Sequence, residues 1–184
     1  MKRLLIVVDY QNDFVDGALG FAGAELLDER IVAKIEAYRS TGDQVVFTMD
    51  THPASYLQTQ EGANLPVEHC IEGSEGWELF GGVARARCES DLVFEKPTFG
   101  SADLFEYLLE AQAKAEADEL AYESIELVGL VSNICVLSNA VVAKTACPEV
   151  PIIVDASCTA SFDSKLNDEV LDVLQGIQVK VINR

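Results

Sequence analysis

The sequence predicts an α/β fold with a mostly parallel sheet of about six strands and helices on both of its faces. Residues 4–8 form a short, unbroken apolar run rich in β-branched side chains, which is typical of a strand covered on both faces. Residues 24–39 instead carry apolar side chains at helical spacing, and Gly42 follows as a stop signal. Strand-like and helix-like runs then alternate along the chain, and this pattern favours a parallel sheet.

The other elements follow from the same two patterns. The predicted strands cover residues 4–8, 45–49, 92–94, 125–131, 152–154 and 179–182, and the predicted helices cover residues 24–39, 101–121, 132–146 and 165–175. Residues 51–90 show no clear period and contain Pro53, Pro66 and several glycines, so we expect an extended loop region with short helices there. A loop region of this length usually carries function.

Bulk composition limits the class of protein. The chain has 184 residues, of which 49% are hydrophobic, and this fits one domain spanning residues 1–184. The formal net charge of −18 opposes binding to nucleic acid and docking on a membrane surface, because both depend on Lys and Arg. The first apolar run ends at Asp9 without a cleavage site, and no segment approaches the roughly 20 apolar residues of a membrane span.

The cysteine pattern indicates a reducing compartment. Five cysteines, an odd number, occur without CxxC spacing, so a disulfide framework is not expected. A soluble, cytoplasmic protein is therefore predicted. Cys147 and Cys158 lack a reactive setting and are expected to be structural, whereas the roles of Cys70 and Cys88 stay open.

Reactive side chains follow four of the predicted strands. Asp9 follows the first strand, Asp50 and His52 follow the second, Lys96 follows the third, and Cys135 lies just beyond the fourth. Ligands of open α/β sheets bind outside the carboxyl ends of the strands. The sequence therefore predicts that an acid, a pair of metal ligands, a base and a thiol share one edge of the sheet.

Cys135 is the candidate nucleophile. It lies in VGLVSNICVLSNA, which reads as a strand, a short polar turn and the first turn of a helix. The free backbone N–H groups and the positive dipole end of such a helix stabilise a thiolate and can hold an oxyanion. The alternative is a buried structural cysteine, which is the commoner fate of a free thiol.

Asp9 and Lys96 are the candidate partners of the thiol. A carboxylate at the end of the first strand could accept the thiol proton and pass it to a leaving amine. If Lys96 points inward it must pair with Asp9, because an unpaired buried ammonium is costly, and its charge would also favour the thiolate. The alternatives are an acid that caps the following turn and a solvated lysine.

A metal site is predicted from the two histidines of the chain, His52 and His69, with Asp50. Asp50 and His52 have i, i+2 spacing, so both can point to one side of an extended segment. Asp, His and His suit a divalent transition metal and leave positions open for water or substrate. Glu61 is a possible fourth ligand. Two ordinary surface histidines are the alternative.

Taken together, the motifs resemble those of a known family. DYQNDF, DTHP, LPVEHC, EKPTFGS and GLVSNICV occur in this order, and they look like those of the isochorismatase-like cysteine hydrolases, within these the nicotinamidase branch. The resemblance extends from residue 4 to about residue 159. It implies a three-layer α/β/α fold, a hydrolase acting on amides in NAD salvage, and association of the chain with copies of itself.

The resemblance also implies residue roles around the nucleophile. Asp9, Lys96 and Cys135 match the Asp–Lys–Cys triad of the family. A cis peptide beside the nucleophile turn would join Val131 to Ser132, and the backbone N–H groups of Val131 and Cys135 would hold the oxyanion.

The nicotinamidase branch adds a metal bound by an Asp-x-His pair and a later His. These map to Asp50, His52 and His69, and Glu61 matches the glutamate of some members. The resemblance implies a divalent ion, zinc foremost, although the same ligands suit Mn or Fe.

The substrate is predicted to be nicotinamide, with its pyridine nitrogen directed to the metal and Phe14 and Phe99 lining the ring pocket. The alternative for both phenylalanines is ordinary core packing. Two departures concern the substrate: Leu65 replaces an aromatic residue common in nicotinamidases, and Asn133 replaces an acid. Leu65 is therefore also a candidate pocket residue. Two alternatives stay open: another cysteine amidase of the family, acting on a carbamoyl or ureido compound, and a non-catalytic binding or redox-sensing module.

Overall fold

Six strands form one sheet in the computed structural model, which describes residues 2–115 and 120–184. The strands are β1 (Leu4–Val8), β2 (Gln44–Asp50), β3 (Leu92–Lys96), β4 (Ile125–Leu130), β5 (Ile152–Ala160) and β6 (Lys180–Ile182). Their order is β3-β2-β1-β4-β5-β6, and all pairings between neighbours are parallel. Strands β2 and β3 are thus added on one side of β1, and β4, β5 and β6 are added on its other side. The strand order reverses between β1 and β4, and ligands of α/β sheets bind at this switch point.

Helices cover both faces of the sheet. They are α1 (Asn12–Val15), α2 (Asp28–Ser40), α3 (Gln60–Asn64), α4 (Gly81–Ala86), α5 (Ala102–Lys114), α6 (Leu137–Ala146) and α7 (Ser164–Gly176). Helices α5, α6 and α7 pack on one face and α2 and α4 pack on the other. The predicted α/β fold and its three layers are confirmed.

The apolar run of β1 explains why the sheet needs both layers. Leu4, Ile6 and Val8 belong to the core under α5–α7, whereas Leu5 and Val7 belong to the core under α2. Alternate side chains of a strand point to opposite faces, so a strand that is apolar at every position is stable only when both faces are covered.

Two element boundaries differ most from the predictions. The fifth strand continues to Ala160 instead of ending at residue 154, because a register shift between Leu127 and Gly129 lets the polar segment after residue 154 keep pairing with β4. The helix predicted over 101–121 ends at Lys114, and residues 116–119 lie outside the described part of the chain.

No helix among the described residues is both long and apolar enough to cross a bilayer.

A buried charged network ties α2 to β4 and β5. The Lys34 ammonium lies 2.6 Å from Glu126 Oε1 and 2.5 Å from Asp155 Oδ2, and the Tyr38 hydroxyl donates to Glu126 Oε2 at 2.6 Å. Burial alone would raise the pKa of Asp155, but the hydrogen bonds from Lys34 and Ser157 outweigh it and lower that pKa. Lys34 is therefore the cation that makes two buried carboxylates tolerable on this face.

Replacing Lys34 with methionine is expected to lower the free energy of unfolding by about 2–3 kcal/mol at neutral pH, because Glu126 and Asp155 are left as uncompensated buried charges. A carboxylate whose pKa is depressed in the folded protein contributes stability above its ordinary pKa of about 4, and this contribution is lost as the pH falls through the folded value. The difference between wild type and Lys34→Met should therefore shrink below about pH 4. Urea unfolding at several pH values measures it.

The matched control is Lys165→Met, which removes a lysine from an exposed pair with Glu169. We expect no measurable change in the urea midpoint for this variant, because exposed ion pairs contribute little. Equal stability of Lys34→Met and wild type at neutral pH would contradict the role assigned to Lys34.

Candidate active site

Asp9, Lys96 and Cys135 meet in a buried cluster at the carboxyl edge of the sheet. Lys96 Nζ lies 2.7 Å from Asp9 Oδ2 and 3.6 Å from Cys135 Sγ. The Asp9 carboxylate is also close enough to the thiol to raise the pKa of Cys135. All three residues are at most 5% exposed. The acid, the base and the thiol that the sequence predicted at one edge therefore share one site.

Strand geometry places Asp9 and Lys96. Asp9 follows β1 with a φ of 44°, in the left-handed region that is unfavourable for a residue with a side chain. Its N–H donates to the Thr48 carbonyl at 3.1 Å, and the Thr48 hydroxyl donates to Asp9 Oδ1 at 2.6 Å. Lys96 ends β3, paired in register with Asp50 of β2. Because β2 lies between β1 and β3, it holds the carboxylate and the ammonium at a fixed separation.

The charges of the cluster are strongly coupled. Burial would lower the pKa of Lys96, but the negative charges of Asp9 and Asp50 outweigh burial and raise it, so Lys96 stays an ammonium. Burial raises the pKa of Asp9, and Lys96 offsets this only in part. A buried carboxyl group whose pKa is raised above its ordinary value is suited to accept and return a proton.

The surroundings of Cys135 act on its protonation state in opposite directions. The start of a helix and a nearby lysine favour a thiolate. Burial and the Asp9 carboxylate, in contrast, raise the pKa of Cys135 well above its ordinary value, and Lys96 does not compensate for them. Cys135 therefore rests as a thiol, and its attack on a substrate requires a base.

The local backbone around Cys135 differs from the prediction in two respects. Residues Ser132–Val136 form a π-helical turn, and α6 begins only at Leu137, because Val136 N–H donates to the Val131 carbonyl five residues earlier. The cis peptide joins Leu130 to Val131, not Val131 to Ser132. The peptide that the resemblance implied to be cis is therefore the next one along the chain.

Asp50, His52 and His69 form a second buried cluster that adjoins the first. Their potential ligand atoms all lie within 4.8 Å of one another, with Asp50 Oδ2 3.0 Å from His52 Nε2 and 3.4 Å from His69 Nε2. The loop brings His69 back because His52 N–H donates to the Cys70 carbonyl at 2.9 Å. Asp50 Oδ1 lies 3.2 Å from Lys96 Nζ, so one lysine contacts both clusters.

The donor set fits a metal ion. His69 Nδ1 lies 2.8 Å from the Val67 carbonyl, which accepts its proton and leaves the Nε2 lone pair directed at Asp50 Oδ2. Two lone pairs that face each other in a buried site need a cation between them, either a proton or a metal. Burial would lower the pKa of His69, but the hydrogen bond to Asp50 outweighs it and raises that pKa.

Glu61 lies at the open side of this cluster. Its Oε1 is 3.8 Å from His52 Nε2 and 3.9 Å from His69 Nε2, a position consistent with a fourth ligand. The ring of Tyr56 packs against both histidines, with centroid distances of 4.6 and 4.9 Å. Tyr56 was not predicted as a site residue, because its contact with both imidazoles arises only when the loop folds back.

The three predicted pocket residues differ in their surroundings. Phe14 is buried and its ring lies 5.7 Å from the His69 ring, edge to face. Phe99 is 45% exposed and Leu65 is 37% exposed. The carbonyl of Leu65 accepts a hydrogen bond from the Tyr56 hydroxyl. A place for these three side chains in the substrate pocket stays a prediction, as does the oxyanion role of the Val131 and Cys135 N–H groups.

Gln11 was missed by the sequence analysis. Its Nε2 donates to the carbonyls of Asp50 at 2.9 Å and Trp77 at 2.7 Å, and its Oε1 accepts the Asp50 N–H at 2.8 Å. One side chain thus binds both backbone groups of Asp50 and holds the backbone from which its carboxylate extends. The available signal was a glutamine two residues after Asp9, at the end of an apolar strand.

Comparison with known proteins matches this geometry to a family. The model of the isochorismatase domain matches residues 3–184. The crystal structure of nicotinamidase/pyrazinamidase PncA from Bacillus subtilis is similar with a TM-score of 0.83 and 30% identity, covering 98% of this chain and 99% of that chain. A nicotinamidase of Acinetobacter baylyi is 25% identical over 198 aligned positions, which cover 95% of this chain and 90% of that protein.

A third relative supports the fold alone. The pyrazinamidase of Pyrococcus horikoshii, solved in complex with zinc, has a TM-score of 0.83 at 18% identity and covers 100% of both chains. The family model and the Bacillus relative, in contrast, are matched in sequence over nearly the full length. This chain therefore belongs to the isochorismatase family.

Proposed function

We propose that this protein is a nicotinamidase, which hydrolyses nicotinamide to nicotinate and ammonia through a thioester on Cys135. The observation that carries the proposal is Lys96, which lies 3.6 Å from Cys135 Sγ and 3.2 Å from Asp50 Oδ1. The thiol and the metal-type ligands are thus parts of one site. A nicotinamidase and a nicotinamidase/pyrazinamidase among the relatives support the substrate.

In the first half of the proposed reaction, Asp9 accepts the proton of Cys135 as the sulfur attacks the amide carbonyl carbon. The carbonyl oxygen becomes an oxyanion, held by the backbone N–H groups of Val131 and Cys135. Asp9 then donates its proton to the nitrogen, the C–N bond breaks and ammonia leaves. The acyl group remains on the sulfur as a thioester.

In the second half, Asp9 accepts a proton from water as the water oxygen attacks the thioester carbon. The C–S bond breaks, the sulfur takes the proton back and the acid is released. Lys96 keeps its proton throughout. Its charge holds Asp9 in the carboxylate form between the two halves, because burial alone would favour the protonated acid.

Asp50, His52 and His69, together with Glu61, are proposed to hold a divalent cation, with zinc as the first candidate because a zinc complex is known for a protein of this fold. Such an ion supplies a Lewis acid beside the thiol when it is bound. The buried, convergent lone pairs of these side chains are the observation that supports it.

The test is an ammonia-release assay on the purified protein with nicotinamide, before and after treatment with a chelator. We expect steady release of ammonia, a loss of activity on chelation of at least about tenfold, and recovery with added zinc. The reason is that without the ion the site has no Lewis acid to bind the pyridine ring of nicotinamide and orient it. Ureido and N-carbamoyl compounds serve as comparison substrates.

Two outcomes would contradict the proposal. Ammonia from a carbamoyl compound but none from nicotinamide would assign the chain to another amidase of the family. No ammonia from any amide, with the metal shown by elemental analysis to be bound, would favour a non-catalytic binding module.

A further inference from the structure

Asn139 is a fully buried polar side chain on an otherwise apolar helix face. It lies in the first turn of α6, whose other buried residues are Ala140, Ala143 and Ala146. A buried amide is destabilising unless it is hydrogen-bonded. Its environment therefore has to supply partners, and these partners show what the side chain holds in place.

The amide of Asn139 bonds at both ends. Its Oδ1 accepts the Ser101 N–H at 3.0 Å, and its Nδ2 donates to the carbonyls of Phe99 at 3.0 Å and Cys135 at 2.9 Å. One side chain thus joins two segments that are about 35 residues apart in the chain. One segment carries the Cys135 thiol, and the other is the segment that directly follows β3, the strand that ends at Lys96.

A separate contact shows that the two segments are closely packed. A Cβ placed on Gly100 would lie 3.4 Å from Val142 Cγ2 and 3.7 Å from the Ser138 Cβ, so the segment after Lys96 runs directly along α6. Phe99 lies three positions after Lys96, and Asn139 lies four positions after Cys135. A shift at this bridge is therefore transmitted to both reacting side chains.

We propose that Asn139 is a positioning residue that sets the separation of the Cys135 thiol and the Lys96 ammonium, an assignment that rests on the amidase function proposed above. It does not touch the substrate in this assignment. It acts by holding the turn that carries Cys135 against the segment after β3. It also fixes the backbone of Phe99, a predicted pocket residue with an exposed ring.

Asn139→Ala removes all three hydrogen bonds and is expected to lower kcat for nicotinamide by about 10- to 100-fold, since a misplacement of about 1 Å can have this effect. KM should change by less than about threefold, because ground-state contacts are retained. Alkylation of Cys135 by iodoacetamide at neutral pH, followed by mass spectrometry of its peptide, should become slower, because a displaced Lys96 favours the thiolate less.

Asn139→Asp is the second variant, in case alanine prevents folding. It keeps the size of the side chain and the acceptor for Ser101 but loses both donated bonds, and we expect the same direction for kcat and for alkylation. Lys34→Met is the control, since it destabilises the opposite face without contact to the site. Its kcat should stay within about twofold of wild type.

Alkylation needs no substrate, so it tests Asn139 even if nicotinamide proves not to be hydrolysed. A merely structural role would expose the thiol and speed alkylation. Faster alkylation in both Asn139 variants, or a kcat equal to that of wild type in either, would overturn the proposal.

Discussion

Replacing Cys135 with alanine is expected to lower kcat for amide hydrolysis by at least about 10⁴-fold, because no other atom of the cluster can form the acyl intermediate. The sulfur lies 3.6 Å from the Lys96 ammonium, which pairs with Asp9, so alanine removes the nucleophile and leaves this ion pair in place. Ammonia release measures the loss. Mass spectrometry of acid-quenched wild type should show an acyl adduct on the Cys135 peptide, and the variant should show none.

Cys158→Ala is the matched control, since Cys158 is also a buried free thiol but belongs to the core on the other face of the sheet. Full activity is expected for it. Substantial turnover by Cys135→Ala would refute the nucleophile, and an inactive Cys158→Ala would show that any buried thiol matters for folding.

Asp9→Asn is expected to lower kcat by about 10²- to 10⁴-fold, the usual contribution of a general acid–base group. Asparagine keeps the shape of the side chain but cannot carry the proton between sulfur, nitrogen and water. The Asp9 charge also helps to raise the pKa of Cys135, so its removal lowers that pKa. Iodoacetamide should therefore alkylate Cys135 faster in Asp9→Asn than in wild type at neutral pH, although turnover falls.

This opposite response of alkylation and turnover separates a proton carrier from a structural acid. Asp43→Asn serves as the control, because Asp43 pairs with Arg3 away from the carboxyl edge and its loss should leave kcat unchanged. An Asp9→Asn variant with wild-type kcat would remove the proposed base. Loss of activity together with slower alkylation would indicate displacement of the thiol instead.

The fold was predictable where the burial of an element produces a recognisable pattern of apolar residues in the sequence. The run at Leu4–Val8 predicted a central strand correctly, because both faces of that strand are covered. The second half of β5 was missed, because Asp155 and Ser157 interrupt its apolar character. Asp155 is buried there only because Lys34 reaches it from α2, and no local pattern reveals such a long-range partner.

The site was predictable because its reactive residues directly follow the predicted strands. The structure brings Asp9, Lys96 and Cys135 together at the carboxyl edge of the sheet. What the sequence did not show was the balance of charges. Asp9 was expected to accept a proton from Cys135, but the sequence does not reveal how strongly burial and the Asp9 charge together raise the pKa of that thiol. Hydrogen bonds between distant segments were equally invisible, which is why Gln11 and Asn139 were not identified.

The strand order β3-β2-β1-β4 has a consequence for the order in which the site is made during synthesis. Asp9, the histidines and Lys96 all lie within the first 96 residues, whereas Cys135 arrives with β4 and inserts beside β1. A nascent chain that has emerged only as far as β3 holds the proton carrier and the ligands but has no nucleophile at that edge. The ability to cleave an amide therefore arises only when the ribosome has released the fourth strand, long after the first three are available to pair.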